Sequence, residues 1–403
     1  MKVEAEQLKE LKNKYGEAFY LLDTAQFTDN YRDLKGCFKA IYHNFNIAYS
    51  YKTNYIPKIC KIVNELGGYA EVVSEMELEL ARRINVPEEN IIWNGPVKNY
   101  NCVEKLLLEG GCVNVDSLDE AVYICEIASQ HVNQVLRIGI RCNFDIDDGV
   151  VSRFGFDKEG DDFKEALKCL SKYKNIEIYS FQCHFAKRQI DFWANRAKGM
   201  VKVLEETKIM PKRIDLGGGL YGHMPSELKN QFSVKIPSYE EYAMEAATII
   251  ADYFKNKEFK PELVIEPGSA LVGDCMSFVC EVKTIKNVRD KYFATVMGSQ
   301  KNISMAGINP PITVVHTGKE QKKYKDMDIV GYTCIEGDVL FKNYEGELSV
   351  GDTIIVDNCG SYSVVMKPPF ILPNFPVLDI SSGGVDVIKN AECFDDIFRT
   401  YNY

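Results

Sequence analysis

Along the chain, short runs of β-branched and aromatic residues alternate with longer amphipathic stretches. The runs Asn46–Tyr51, Tyr69–Val73, Ile91–Asn94, Val113–Val115, Val135–Arg141, Ile176–Cys183, Arg213–Leu216 and Glu262–Ile265 read as strands. Between them lie IPKICKIVNELGG, EMELELARRIN, KNYNCVEKLLLEGG and LDEAVYICEIASQ, whose apolar residues recur with a helical period. Several of these stretches end at Gly, as helices do. Eight strand-then-helix units predict an α/β fold, a (β/α)8 TIM barrel. An open doubly wound sheet is the alternative, and the regularity of the eight units disfavours it. After Glu266 the pattern changes. SFVCEVKTIKNV, KYFATVM, ITVVHT and DTIIVDN are strand-like, broken by turns such as EGEL, with little helical period. This predicts a second, C-terminal β-rich domain (a β-barrel or sandwich), to which FYLLD near the N-terminus can add a strand. The expected division is 26–270 for the barrel and 1–25 plus 271–403 for the β-rich domain.

Composition narrows the chemistry. Among 403 residues, 48 Lys+Arg stand against 58 Asp+Glu, a formal charge of −10. With no basic field to displace counterions, nucleic acid is excluded as the main partner. Met1–Gly16 is charged and helix-like without an apolar core, so it does not read as a signal peptide. No apolar run reaches the roughly 18 residues of a spanning helix, and a cytoplasmic protein without membrane association is expected. The 13 Cys form no C-x-x-C pair, and the Cys275…Cys280 spacing does not suit zinc. With five His in all, reduced thiols are expected and a dedicated metal site is not.

Barrel chemistry gathers at the C-terminal ends of the strands. Those positions hold Lys52, Ser74, Asn94, Asp116, Arg141, His184, Gly217–Gly219 and Glu266. Lys52 is either an ordinary solvated lysine or a Schiff-base amine, and its place at the mouth of the first strand favours the second. DLGGGL, with Gly222, spells G-x-G-x-x-G, but in the seventh unit rather than the first, which excludes a dinucleotide fingerprint. Its glycines make either a plain tight turn or a cradle of backbone amides for a phosphate. Glu266, between Ile265 and Pro267, points into the rim, where opposite a pyridine nitrogen it would keep a ring protonated. His184 is either a satisfied core histidine or a stacking partner for such a ring. In the β-rich part, Cys334 in CIEGD is a buried thiol or a general acid in a loop. Tyr362 in GSY is a packed aromatic or a phosphate cap.

The ordered run AYSYKTN, VVSEMELELA, NGPVK, NVDSLDE, SRFGFD, CHF, DLGGGL, EPG, CIEGD and GSY resembles the pyridoxal-phosphate-dependent diaminopimelate/ornithine decarboxylases of the alanine-racemase fold. The resemblance implies pyridoxal 5'-phosphate, an amino-acid substrate and a homodimer with shared active sites. It implies that Lys52 carries the cofactor, His184 stacks on its ring and Glu266 faces its nitrogen. Gly217, Gly218, Gly219 and Tyr362 would hold the phosphate, and Cys334 from the partner subunit would protonate the product. Ser74 and Arg141 on the same rim join the cofactor-binding candidates.

Departures from the family bear on substrate. Ser269 stands after EPG where the family has Arg, and Lys187 falls in its HxGS run, where it can restore a cation. Thr313 occupies the place of the Arg that grips diaminopimelate's distal carboxylate. Ile335 replaces the acidic residue after the Cys, with Glu336 one place later. Each lost partner should cost the usual substrates about 2 kcal/mol. An amino acid or conjugate of the specialised-metabolite or siderophore type is therefore expected rather than diaminopimelate. The alternative is a racemase or epimerase of the same fold, in which Arg153 of SRFGF contacts the cofactor. Glu266 argues against that branch, which places Arg at the ring nitrogen. A non-catalytic single-barrel carrier would lack the β-rich part.

Overall fold

Strand β1 (Ala18–Leu22) is followed by β2 (Phe45–Ser50), β3 (Tyr69–Val72), β4 (Ile91–Trp93), β5 (Cys112–Val115) and β6 (Leu136–Asn143). A two-residue β7 (Phe156–Asp157) hangs on β6, and β8 (Ile176–Phe185), β9 (Arg213–Gly218) and β10 (Glu262–Ile265) complete the series. In this computed structural model, which describes residues 4–305, 307–317 and 321–402, β2 to β10 pair in parallel in the order β5-β4-β3-β2-β10-β9-β8-β6. Pairing of β5 with β6 closes the ring. The result is the eight-stranded TIM-type barrel that the strand and helix pattern implied.

Alternation along the strands explains how it holds together. Val72, Trp93, Val115, Ile140, Phe181, Leu216 and Ile265 are buried. So are Glu71, Asn94, Asn114, Arg141, Gln182, Asp215 and Glu266, each one residue away. With a side-chain period of two, one face is apolar and the other polar. The polar face points inward. Asn94, after β4, donates to Glu266, after β10, at 2.5 Å, although β3 and β2 lie between those strands in the sheet. Short turns deliver the chain from strand to helix. Ser74 caps Glu75–Arg83 by accepting from the Glu77 amide at 3.2 Å, and Ser117 caps Leu118–Gln130 from the Glu120 amide at 3.3 Å. Such caps are each worth about 1 kcal/mol.

Three strands, β6, β8 and β9, each run two residues past the ends the sequence suggested. His184 lies within β8 and Gly217 and Gly218 within β9, paired His184↔Gly217 and Phe185↔Gly218. The chain divides into two compact units: Met1–Asn30 with Gly222–Ser233 and Leu271–Tyr403, and Tyr31–Tyr221 with Val234–Ala270. Gly222–Ser233 thus goes with the sheet-rich unit although it falls inside 26–270, and the first boundary falls inside the helix Thr24–Ile41.

The sheet-rich unit contains β11 (Met276–Val288), β12 (Lys291–Val296), β13 (Ile312–Val315), β14 (Lys322–Val330), β15 (Val339–Leu348), β16 (Thr353–Val356), β17 (Val377–Asp379) and β18 (Asp386–Lys389). Its main sheet runs β15-β14-β12-β11-β1-β17-β18, and β16 joins β11 to β13. FYLLD does supply a strand, since β1 pairs antiparallel with β11 from Ala18↔Cys280 to Leu22↔Met276. Phe19 and Leu21 of β1 share a core with Leu8 and Leu11 of the opening helix Ala5–Tyr15 and with Val279, Ile355 and Leu378. EGEL is not a turn. Glu345–Leu348 lies inside β15, with Tyr324↔Gly346 in register. The Tyr344 hydroxyl folds over Gly346, 2.5 Å from where a Cβ would stand, so a side chain there would have to displace it. Among the described residues no helix is long and apolar enough to cross a membrane.

Candidate active site at the barrel mouth

Strand β2 ends at Ser50, and one 3-10 turn, Tyr51–Thr53, presents Lys52. Tyr51 and Thr53 are buried on either side of it. The EPG loop closes against this turn: the Ser50 amide donates to the Pro267 carbonyl at 3.1 Å, and a Cβ on Gly268 would stand 2.0 Å from Thr53 Oγ1. Lys52 Nζ donates to Glu71 Oε2, forming an ion pair with a carboxylate that is itself fully buried. Asn94 Nδ2 donates to Glu71 Oε1 at 3.0 Å and to Glu266 Oε1 at 2.5 Å, while Asn94 Oδ1 accepts from Asn114 Nδ2 at 2.6 Å. Gln182 Nε2 reaches both Glu266 oxygens at 3.2 Å. A single hydrogen-bonded chain therefore links the Lys52 amine to the Glu266 carboxylate across the barrel.

The carboxylates in this network are not equivalent. Burial alone would push Glu71 up, but the Lys52 ammonium and hydrogen bonds from Lys52, Ser50 and Asn94 hold it below the usual range. Glu266 is raised to about 7 by burial and by the Glu71 charge, against the pull of Lys52, Asn94 and Arg141. Asp215, buried on β9, is pushed well above the carboxylate range by burial and then by Glu266. Neither Asp215 oxygen meets a donor among the described residues. Two buried carboxyl groups in this relation are stable when they share a proton, so Asp215 and Glu266 titrate as a pair. The His184 imidazole is held well below its ordinary value by burial and then by the charges of Lys52, Arg141 and Arg196. It is neutral at pH 7.

The glycine run lies against these groups. A Cβ on Gly217 would stand 2.2 Å from Glu266 Oε2, and one on Gly218, whose φ is +118°, 2.1 Å from the Phe185 carbonyl oxygen. On Gly219 it would stand 2.9 Å from Arg188 Nε. Close approach requires glycine here. Arg141 Nη1 pairs with Asp116 Oδ1 at 2.8 Å, and its guanidinium lies 4.8 Å from the Phe154 ring centre. Arg153 is exposed and lies 4.0 Å from that same ring centre. The Ser74 hydroxyl is engaged as the helix cap already described. Lys187 is exposed, and its carbonyl accepts from Arg196. Ser269 begins the short helix Ser269–Val272.

The remaining sequence candidates belong to the other unit. Cys334, Ile335 and Glu336 are exposed in the loop between β14 and β15. The base of that loop is fastened by Asp338, which accepts from Thr333 Oγ1 at 2.5 Å, Ser299 Oγ at 3.0 Å and the Gln300 amide at 2.7 Å. Thr313 is exposed on β13, in register with Ile355. Tyr362 sits half-buried at φ +60°, two residues after Gly360, whose amide donates to the Gly273 carbonyl at 2.9 Å. The sequence reading passed over Glu71, Gln182, Asp215 and Arg196. Strand parity was the available signal for the first three, since each is polar in an apolar strand on the face shared with Glu266.

A barrel with an amine, a buried carboxylate and a glycine cradle at one mouth defines a class of enzyme that holds a phosphorylated carbonyl compound. The chain belongs to the pyridoxal-dependent decarboxylase family: residues 25–273 match its pyridoxal-binding domain. It is 26% identical over 98% of its length to the diaminopimelate decarboxylase of Aquifex aeolicus, covering 94% of that protein. It is 28% identical over 89% of its length to that of Bacillus methanolicus, covering 86% of that protein. The solved diaminopimelate decarboxylase of M. jannaschii, also crystallised with L-lysine, superimposes with a TM-score of 0.86 at 23% identity, over 98% of this chain and 94–95% of that one. The chain is thus a pyridoxal-phosphate-dependent amino-acid decarboxylase. The relatives' names run against the expectation, drawn from Thr313 and Ile335, that diaminopimelate is not the substrate.

Proposed function

We propose that Lys52 carries pyridoxal phosphate and that the enzyme removes the Cα carboxylate of an amino acid, or amino-acid conjugate, other than diaminopimelate. The chain of hydrogen bonds from Lys52 to Glu266 carries this reading. It gives the amine an ionised carboxylate partner, Glu71, and sets a second carboxylate, Glu266, at the far end of the same hydrogen-bonded chain. Bound there, the cofactor supplies the electron sink that lets the bond from Cα to the carboxylate break. The residues present fit it. Lys52 offers the primary amine, Glu266 the partner for a ring N–H, and neutral His184 a flat face that adds no charge. Gly217–Gly219 leave backbone open to a phosphate, and Arg141 and Ser74 complete the rim.

With the cofactor bound, Glu266 would hold a proton at the ring nitrogen, and ionised Glu71 would keep the Lys52 amine protonated and in place whenever it is free. Cys334 returns a proton to Cα once carbon dioxide has left. As the family resemblance implies, a second copy of the chain brings that thiol, and the working form is a homodimer. Thr313 and Ile335 leave a distal carboxylate and a distal ammonium unanswered, with Glu336 the nearest acidic group in sequence. A specialised-metabolite substrate with an uncharged or blocked distal end satisfies both positions. The second reading, diaminopimelate itself, is favoured by the names of relatives that match nearly the whole chain.

Proton NMR in deuterated water, with the cofactor-loaded enzyme and a panel of free and conjugated amino acids of both hands, tests this. Deuterium on the product amine with loss of the carboxylate is the expected result. Turnover of meso-diaminopimelate faster than every other compound overturns the substrate proposal. Exchange at Cα with the carboxylate retained would point instead to the racemase branch and to Arg153.

A further inference from the structure

The helix Ile190–Thr207, which follows β8, buries Arg196 completely. Its Nη2 donates to the Phe185 carbonyl at 2.9 Å and to the Lys187 carbonyl, and its guanidinium carbon lies 4.6 Å from the Trp193 ring centre. Among the described residues its Nε and Nη1 have no hydrogen-bond partner and it forms no ion pair, the Asp148 charge acting on it only weakly and from a distance. Burial draws this guanidinium down to about 10, so it remains charged at pH 7. A buried cation without an anion is costly. What Nη1 faces is Gly218: a Cβ there would stand 2.9 Å from Arg196 Nη1. The charge therefore lies directly beneath the glycine run, in a chain that has Ser269, not Arg, after EPG.

We propose that Arg196 is the cation of the phosphate subsite. It acts from under the Gly218–Gly219 backbone and through the two carbonyls it holds, rather than by touching the phosphate. This rests on the reading that the glycine run receives the cofactor's phosphate. In that role Arg196 does what Lys187 was expected to do, from a buried position where solvent screens it far less. It is a positioning residue: it fixes the turn after β8 and supplies the field that a dianion needs.

The test compares the affinity of the cofactor-free chain for pyridoxal phosphate with that for pyridoxal, which lacks the phosphate, by fluorescence titration. Wild type should prefer the phosphorylated compound strongly. Arg196→Met should lose about tenfold or more of that preference while binding pyridoxal within about twofold of wild type. Equal losses for both compounds, or none, would overturn the proposal and leave Arg196 a packing residue. A wild type without any preference would instead sink the underlying phosphate reading. If Arg196→Met does not fold, Arg196→Lys decides, because it keeps the charge and cannot hold both carbonyls. It should retain the preference within about threefold, and collapse of the preference with the charge kept would refute the electrostatic role.

Discussion

The barrel mouth and the Cys334 loop handle polar groups in opposite ways. At the mouth, Lys52, Glu71, Asn94 and Glu266 answer one another in one hydrogen-bonded network, and Glu266 is 3% exposed. In the loop, Ile335 is 49% exposed, and the buried anchor is at the base, where Asp338 gathers three donors. A buried network fixes geometry and protonation together, because each member that moves leaves another unsatisfied. An exposed loop on a fixed base can change residues at little cost in stability. On the function proposed above, the general chemistry resides in the mouth and discrimination among substrates in the loop.

Lys52→Ala should break the mouth most completely. Turnover should fall by at least about 10³-fold, and the visible absorbance of the bound cofactor should disappear. Retention of that absorbance would mean that another amine carries the cofactor. Next comes Cys334→Ala, expected to lower turnover by roughly 10²-fold or more while shifting stability by no more than about 0.5 kcal/mol. Thermal melts beside initial rates would check both. A large loss of stability would erase the contrast between the two regions. Ile335→Glu sharpens it further, with kcat/KM for substrates bearing a distal ammonium rising by about tenfold and cofactor affinity unchanged.

The barrel and its mouth were legible to different depths. Eight strands could be read because each buried run is bounded by a helix with its own period, and because Lys52, Glu266 and the glycine run sit at strand ends. Glu71 and Asp215 stayed hidden inside YAEVV and RIDL, where apolar neighbours made the runs look like plain core. Only barrel closure, which turns their polar face inward and brings Asn94 after β4 within reach of Glu266 after β10, joins those residues to the network. Arg196 was beyond reach for another reason: a helix pattern assigns a buried face but not what lies across from it. EGEL misled because Gly next to acidic residues mimics a turn, when what decides its place is the Tyr344 ring.

The last effect expected is a change in pH dependence, and it tests whether the mouth's carboxylates share a proton. Glu266 has a folded pKa of about 7 against an ordinary value of 4.5. A raised acid favours folding while protonated, so its contribution is complete below about pH 4.5 and is lost as pH rises through about 7. The cofactor-free wild type should therefore lose stability across that window relative to Glu266→Gln, by on the order of 2–3 kcal/mol. Glu77, raised to about 7 chiefly by burial, produces the same slope, and His184, held neutral, the opposite one at lower pH. Both residues are present in wild type and variant, so the difference between the two curves removes them. It does not remove Asp215, whose raised value owes part of its size to Glu266. The difference therefore reports the pair. Parallel urea-unfolding curves between pH 5 and 7.5 would show that Glu266 is ionised throughout, and the shared proton would have to be abandoned. Curves that separate without cofactor and converge when pyridoxal phosphate is added would place a positive partner against Glu266, as the loaded mouth requires.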